Sequence, residues 1–189
     1  MKISNLVDIP KTIMAIDAST NSLAFSIFSD GKLDCFGKIN FTGTVTYDKV
    51  VDAGKKVSAF LDAFDKNIDA IVIEHTVFMN SPKTAADLAL VQGAILGAAG
   101  VRRIRSVAPI TWQNFIGNKK PSKEELAKIK LENQGRSDSW IKNHVRELRK
   151  QKTMHFIDIQ YNKIVKDNDV ADAIGIGHYA INNWERLTK

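Results

Sequence analysis

Two short apolar runs, far apart in the chain, each end in an acid. "KTIMAID" carries Asp17 at its end and "DAIVIEH" carries Glu74 near its end. Runs of this length and character read as buried strands. A carboxylate there is costly to desolvate unless something compensates it. Where central strands end is also where open sheets build their sites. The fold must therefore satisfy two misplaced charges at once.

The rest of the chain supplies the frame. "LAFSIFSDGKLDCFGKINF" (Leu23 to Phe41) gives two alternating runs around Ser29, Asp30 and Gly31, a strong hairpin signal. With the run ending in Asp17 it makes an antiparallel meander. From Tyr47 to Lys66, Val50, Val57, Phe60, Leu61 and Phe64 fall at helical spacing. Ser81 and Pro82 introduce a helix from about Lys83 to Ala99, rich in small residues that allow close packing. "RRIRSVA" reads as a fifth strand, and "PITWQNFIG" as a short helix opened by Pro109. The order predicts an α/β fold with a five-stranded mixed sheet flanked by helices. At 189 residues the whole chain, 1–189, is expected to be one domain.

Charge is unevenly placed. The net charge is +6, and residues 119–152 hold eleven Lys/Arg against five Asp/Glu, while the remainder balances at sixteen of each. The whole excess sits in one polar stretch with helical signals, expected to be a basic helical insertion. Such a block points to a polyanionic partner, nucleic acid first, or to a solvated lysine-rich surface. One cysteine, Cys35, excludes an internal disulfide and fits a reducing compartment; its alternating run reads as a packed thiol. No stretch of about 18 apolar residues spans a membrane. Asp8 and Pro10 stand where a leader would be apolar, so no secretion signal and a cytoplasmic location are expected.

A third feature completes the acids. In "DNDVADAIGIGH", Asp169 and Asp172 are three residues apart at the start of an apolar helix running to about Arg186, and so share one face. If that face packs over the strand ends, Asp17, Glu74, Asp169 and Asp172 converge. Four carboxylates in a small space raise each other's pKa values and destabilise the fold. Hard divalent cations with oxygen ligands, Mg²⁺ or Mn²⁺, remove the conflict. Two such ions about 3.5–4 Å apart drive in-line phosphoryl displacement. Each acid also has a plainer reading: Asp17 could shape a turn before Ser19 and Thr20, and Asp169 could be a helix N-cap.

"AIDASTNSLAFSIF", "IVIEHTVFMN" and "DVADAIGIGH" together resemble the RuvC-type Holliday junction resolvases of the RNase H-like superfamily. That family has Asp after strand one, Glu after strand four, and an acid or His three residues before a last Asp. Asp17, Glu74, Asp169 and Asp172 stand at those positions. The likeness extends to the Ala/Gly-rich helix after Glu74 and to "VAPITWQNFIGNKK". The family's Asp-Pro-Gly is Asp17-Ala18-Ser19 here, and the charged stretch after Lys120 is longer than usual, as in phage or other divergent members.

The resemblance implies an RNase H-like nuclease, a crossover junction endodeoxyribonuclease. It would cut four-way DNA junctions with two Mg²⁺ (or Mn²⁺) ions per site, in the host cytoplasm if viral. It implies a homodimer nicking opposing strands and leaning on the Lys83–Ala99 helix. It also implies that Phe78 wedges into the junction centre and that Lys119 and Lys120 bind DNA phosphates. Rival readings are a flap or RNA–DNA hybrid nuclease of the same superfamily, a non-catalytic junction binder, and an actin-fold ATP-binding protein. The last needs a second lobe and a glycine-rich adenosine loop that the sequence lacks. Among other residues, His75 alternates away from Glu74, and His178 lies about 120° round the helix from Asp172, as expected of a local hydrogen-bond partner. Trp112 and Trp184 read as core. Trp140 could stack on a base or anchor a helix.

Overall fold

Alternation in the first three strands decides which side chains face which layer. The computed structural model describes residues 9–75 and 81–187. Strand β1 (Thr12–Ala18) pairs antiparallel with β2 (Ser22–Ser29), and β2 pairs antiparallel with β3 (Lys32–Asn40). Asp30 and Gly31 make the hairpin turn, both at positive φ (47° and 75°), as a tight two-residue turn requires. Strands β4 (Ala70–Glu74) and β5 (Ile104–Val107) add in parallel on the other side, giving the order β3-β2-β1-β4-β5. The expected mixed sheet is thus observed, strand for strand.

Each face of the sheet buries one set of alternate residues. Met14 and Ile16 of β1, with Leu23, Phe25 and Ile27 of β2, pack beneath two helices. These are α1 (Thr46–Ala63), through Ala53 and Val57, and α2 (Pro82–Ala99), through Val91 and Ile95. Ser81 caps α2, its hydroxyl accepting from the Thr84 N–H. Ile13 and Ala15 of β1, with Ala70 and Val72 of β4, face the opposite layer. There they meet α3 (Pro109–Phe115) through Trp112, and α6 (Asn168–Asn183) through Ile176, Tyr179 and Ala180. A single 3₁₀ turn, Trp184–Arg186, follows α6.

Helix α6 lies unusually close to the sheet. A Cβ added at Gly175 would stand 2.7 Å from the Trp112 ring, and one at Gly177 would stand 2.3 Å from the Phe28 ring. One turn before Gly177, the buried Ser26 hydroxyl donates to the Ala173 carbonyl at 2.8 Å, tying β2 to the helix backbone. The small residues after Asp172 therefore have a purpose: they let the acid-bearing end of α6 sit down on the sheet.

The basic stretch forms α4 (Lys123–Glu132) and the long α5 (Asp138–Tyr161). Ser122 and Glu125 make a reciprocal capping box at the start of α4. Helix α5 runs beyond residue 152, where the charged composition ends. Its last turns put Ile157 and Phe156 into the core against α6. The weak apolar stripe of 119–152, in which Ile141 is buried, hides this, because Phe156 and Ile157 come after it. Cys35 is half-buried, and burial raises its thiol pKa, as suits a packed thiol. No helix among the described residues is long and apolar enough to cross a membrane.

Candidate active site

The strand register brings the first two acids together. Ile16 pairs with Ile73 across the parallel β1–β4 ladder, so Asp17 and Glu74 are the next residues along neighbouring strand ends. Asp17 follows Ile13 and Ala15 on the α6 face, and Glu74 follows Ala70 and Val72 on the same face. Asp17 also pairs with Ala24, and Ala24 with Lys38. A row Lys38–Ala24–Asp17 thus crosses three strands, with Glu74 beyond it. The N-terminal turn of α6 lies over this row and brings Asp169 and Asp172.

All four acids line one cleft of about 840 Å³. Asp17 is pushed up to about 8 from a usual 3.8, first by burial and then by the charges of Glu74, Asp172 and Asp169, with Lys38 opposing. Asp172 is pushed up to about 7, again by burial first and then by Glu74 and Asp169, with Thr153 and Lys150 opposing. Burial raises Glu74, and its hydrogen bond from Trp112 holds it down. These shifts describe acids that cannot all be charged together without help.

Three helps are built in. The Trp112 indole N–H donates to Glu74 Oε1 at 2.7 Å. Thr153 of α5, whose hydroxyl donates to the Arg149 carbonyl at 3.4 Å, stands close enough to Asp172 to lower its pKa. Lys38 Nζ stands 2.6 Å from Asp169 Oδ2 and 3.0 Å from Asp167 Oδ2. Among the described residues, no three His, Cys, Asp or Glu side chains are arranged to hold a metal ion between them as they stand. The donor set nonetheless suits a hard divalent cation: four carboxylates in one cleft, with positive charge drawn to them.

The same cleft is also lined by bases. Lys142, Arg146, Arg149 and Lys150 recur at helical spacing along α5, and Lys120 and Lys130 join them. Lys142 and Arg146 are exposed. Arg149 is tied down, donating to the Gln113 side chain and the Asn118 carbonyl.

The sequence-predicted residues therefore divide. Asp17, Glu74, Asp169 and Asp172 share the cleft. Lys120 lines it, and Lys119 is exposed beside it. Phe78 lies outside the described residues. His75 is exposed at the cleft edge. His178 is the local partner expected of it, its Nδ1 sharing a 2.6 Å hydrogen bond with Tyr161 Oη. Trp140 stacks on His144, with Arg136 over its ring, which favours an anchoring role.

Sequence reasoning missed Lys38, Asp167, Thr153 and the second role of Trp112. Lys38 had a signal: two residues after Phe36, alternation sets it on the core-facing side of β3. Trp112 had one too, because a buried indole N–H needs an acceptor.

No protein-family model matches the chain, and no curated protein matches it in sequence. Solved structures do. Thermus thermophilus RuvC in complex with a Holliday junction substrate is 16% identical, with a TM-score of 0.59 over 91% of this chain and 96% of that one. Thermus thermophilus RuvC is 16% identical, with a TM-score of 0.60 over 94% and 98%. The yeast mitochondrial Holliday junction resolvase Ydc2 is 11% identical, with a TM-score of 0.53 over 92% and 79%. The chain has the RNase H-like fold of the RuvC-type resolvases.

Proposed function

We propose that the chain is a metal-dependent, structure-selective endonuclease that resolves four-way DNA junctions by paired nicks. The observation that carries this reading is one cleft lined by both a set of acids and a set of bases. Asp17, Glu74, Asp169 and Asp172 share it with Lys120, Lys142, Arg146 and Lys150. A phosphodiester backbone suits a cleft that offers carboxylates for cations and bases for phosphate.

In this mechanism Asp17, Glu74, Asp169 and Asp172 hold two Mg²⁺ or Mn²⁺ ions. The ions, when bound, supply an activated water and stabilise the leaving 3′-oxygen. Trp112 orients Glu74, so that this carboxylate is pre-aimed, and Thr153 eases the charge on Asp172. The exposed bases of α5, with Lys119 and Lys120, grip backbone phosphates and set the strand's register. Phe78 opens the junction centre.

Paired nicking on opposing strands calls for a homodimer. On α2, Ala86, Ala89, Gly93 and Gly97 are exposed, while Leu88, Val91 and Ile95 face the core. This outward stripe of small residues supports a helix–helix contact between copies.

Purified protein with Mg²⁺ or Mn²⁺ is to be tested on a synthetic four-way junction, a 5′ flap and an RNA–DNA hybrid. Symmetric nicks confined to the junction are expected, and their loss in Glu74→Gln and Asp172→Asn. Full cleavage by Asp172→Asn overturns that residue's role. Equal cutting of flap or hybrid overturns the junction assignment.

A further inference from the structure

We infer that Lys38 is a positioning residue that holds Asp169 in reserve, lying across Asp167 and Asp169 without metal and keeping only Asp167 once a divalent cation takes Asp169. The inference rests on the metal-dependent reading above.

The two acids that Lys38 bridges are not equivalent. Asp167 is the N-cap of α6: its Oδ1 accepts from the Asp169 and Val170 N–H groups at 2.9 and 3.3 Å. That carboxylate is fixed by the helix end, and its Oδ2 lies 3.0 Å from Lys38 Nζ. Asp169, two residues further on, has Oδ2 at 2.6 Å from the same ammonium. It lines the acid cleft and acts electrostatically on both Asp17 and Asp172. Asp167 does not line that cleft. One partner is thus a permanent dock and the other faces the work.

The position of Lys38 is set by the sheet. It shares the cross-strand row with Ala24 and Asp17, and the small Ala24 leaves the space over the row open to a long side chain. Lys38 is about a quarter exposed, so its ammonium is neither sealed in nor free in solvent. A lysine head is a compact charge on a flexible stem and can move from a shared to a single partner without moving the backbone. Metal entry is then an exchange of one cation for another, which keeps the metal-free cleft from carrying four uncompensated charges.

The arrangement predicts opposite effects from the two ends of the bridge. Lys38→Met removes the competitor, so Mn²⁺ should bind about 5-fold or more tightly by calorimetry, while the metal-free protein melts at a lower temperature. Asp167→Asn keeps a good N-cap but removes the dock, so Lys38 stays on Asp169 and Mn²⁺ should bind several-fold more weakly. A lysine that merely clamps α6 would give weaker metal binding in both variants, and that result overturns the inference. Unchanged affinity in both also overturns it. Should Lys38→Met fail to fold, Asp167→Asn decides alone: equal or tighter Mn²⁺ binding counts against the exchange. If wild-type protein takes up no Mn²⁺, with Asp17→Asn as the blank, the metal-dependent reading itself has failed, a result distinct from either of these.

Discussion

Trp112 donates its indole N–H to Glu74 Oε1 at 2.7 Å, from a ring that is itself fully buried. One residue therefore serves both the core and the cleft. Gly175 makes room for the ring, and the ring in turn fixes the acid that ends β4. Trp112→Phe keeps the aromatic packing and deletes the donor. A buried acceptor left short of a partner costs about 1–3 kcal/mol. Loss of such an orienting bond weakens metal sites by about 10-fold or more. Thermal melting and Mn²⁺ titration of the variant check both figures. Unchanged Mn²⁺ affinity would confine Trp112 to the core.

Asp17 should cost the metal-free protein stability. Its folded value is raised to about 8 from 3.8, chiefly by burial. The protonated carboxyl is tolerated in the fold, so its contribution is intact below about pH 4 and is lost as the pH rises through 8. Asp17→Asn escapes this loss. In EDTA, the melting temperature of Asp17→Asn minus that of wild type should grow from pH 5 to pH 8.5, while nicking activity disappears. A difference that shrinks over this range would mean that Asp17 is already compensated without metal.

The acids were legible because each breaks a pattern: Asp17 and Glu74 end apolar strands, and Asp172 interrupts an apolar helix. The strands were legible for the same reason, since alternation and the Asp30-Gly31 turn leave little freedom. What the sequence hid is what depends on pairing register. Lys38 looks like any strand lysine until Ala24 is known to lie between it and Asp17. Helix α5 looks like a solvated insertion until Ile157 and Phe156, past the charged stretch, are seen in the core. Thr153 carries no local mark at all, because only the packing of α5 on α6 brings it to Asp172.

His178 sets a pH dependence away from the acids. Its ring is packed by Phe115, Phe156 and Tyr161, and burial lowers its pKa below 6.5. The unfolded chain takes up a proton near pH 6.5 that the folded chain resists. The stability is therefore full above 6.5 and is lost as the pH falls through the folded value. His178→Gln should melt lower than wild type at pH 8 yet show a flatter decline between pH 6.5 and 5. Parallel declines would place the acid sensitivity elsewhere.

Gly177 tests how closely α6 must lie. A methyl group there meets the Phe28 ring and the Ser26 hydroxyl that bonds the helix backbone. Gly177→Ala should destabilise by about 1–3 kcal/mol despite the better helix propensity of alanine. At Gly93, where an added Cβ meets nothing within 4 Å, the same change should not destabilise the monomer. Urea melts of the pair make the comparison. Equal effects would remove close approach as the reason for the glycine.

The bases lining the cleft should act on binding more than on chemistry. Lys142 and Arg146 are exposed on the cleft face of α5, whereas Arg149 is held by Gln113 and Asn118. Removing two phosphate contacts lowers the slope of log affinity against log salt by about 2. Lys142→Ala with Arg146→Ala should show that change in junction binding, with Ca²⁺ in place of Mg²⁺ to block cleavage. Melting should shift little, since neither residue is buried. Arg149→Ala should instead lower the melting temperature, because the Asn118 carbonyl and the Gln113 side chain lose their partner. An unchanged salt slope in the double variant would move the DNA off this face of α5.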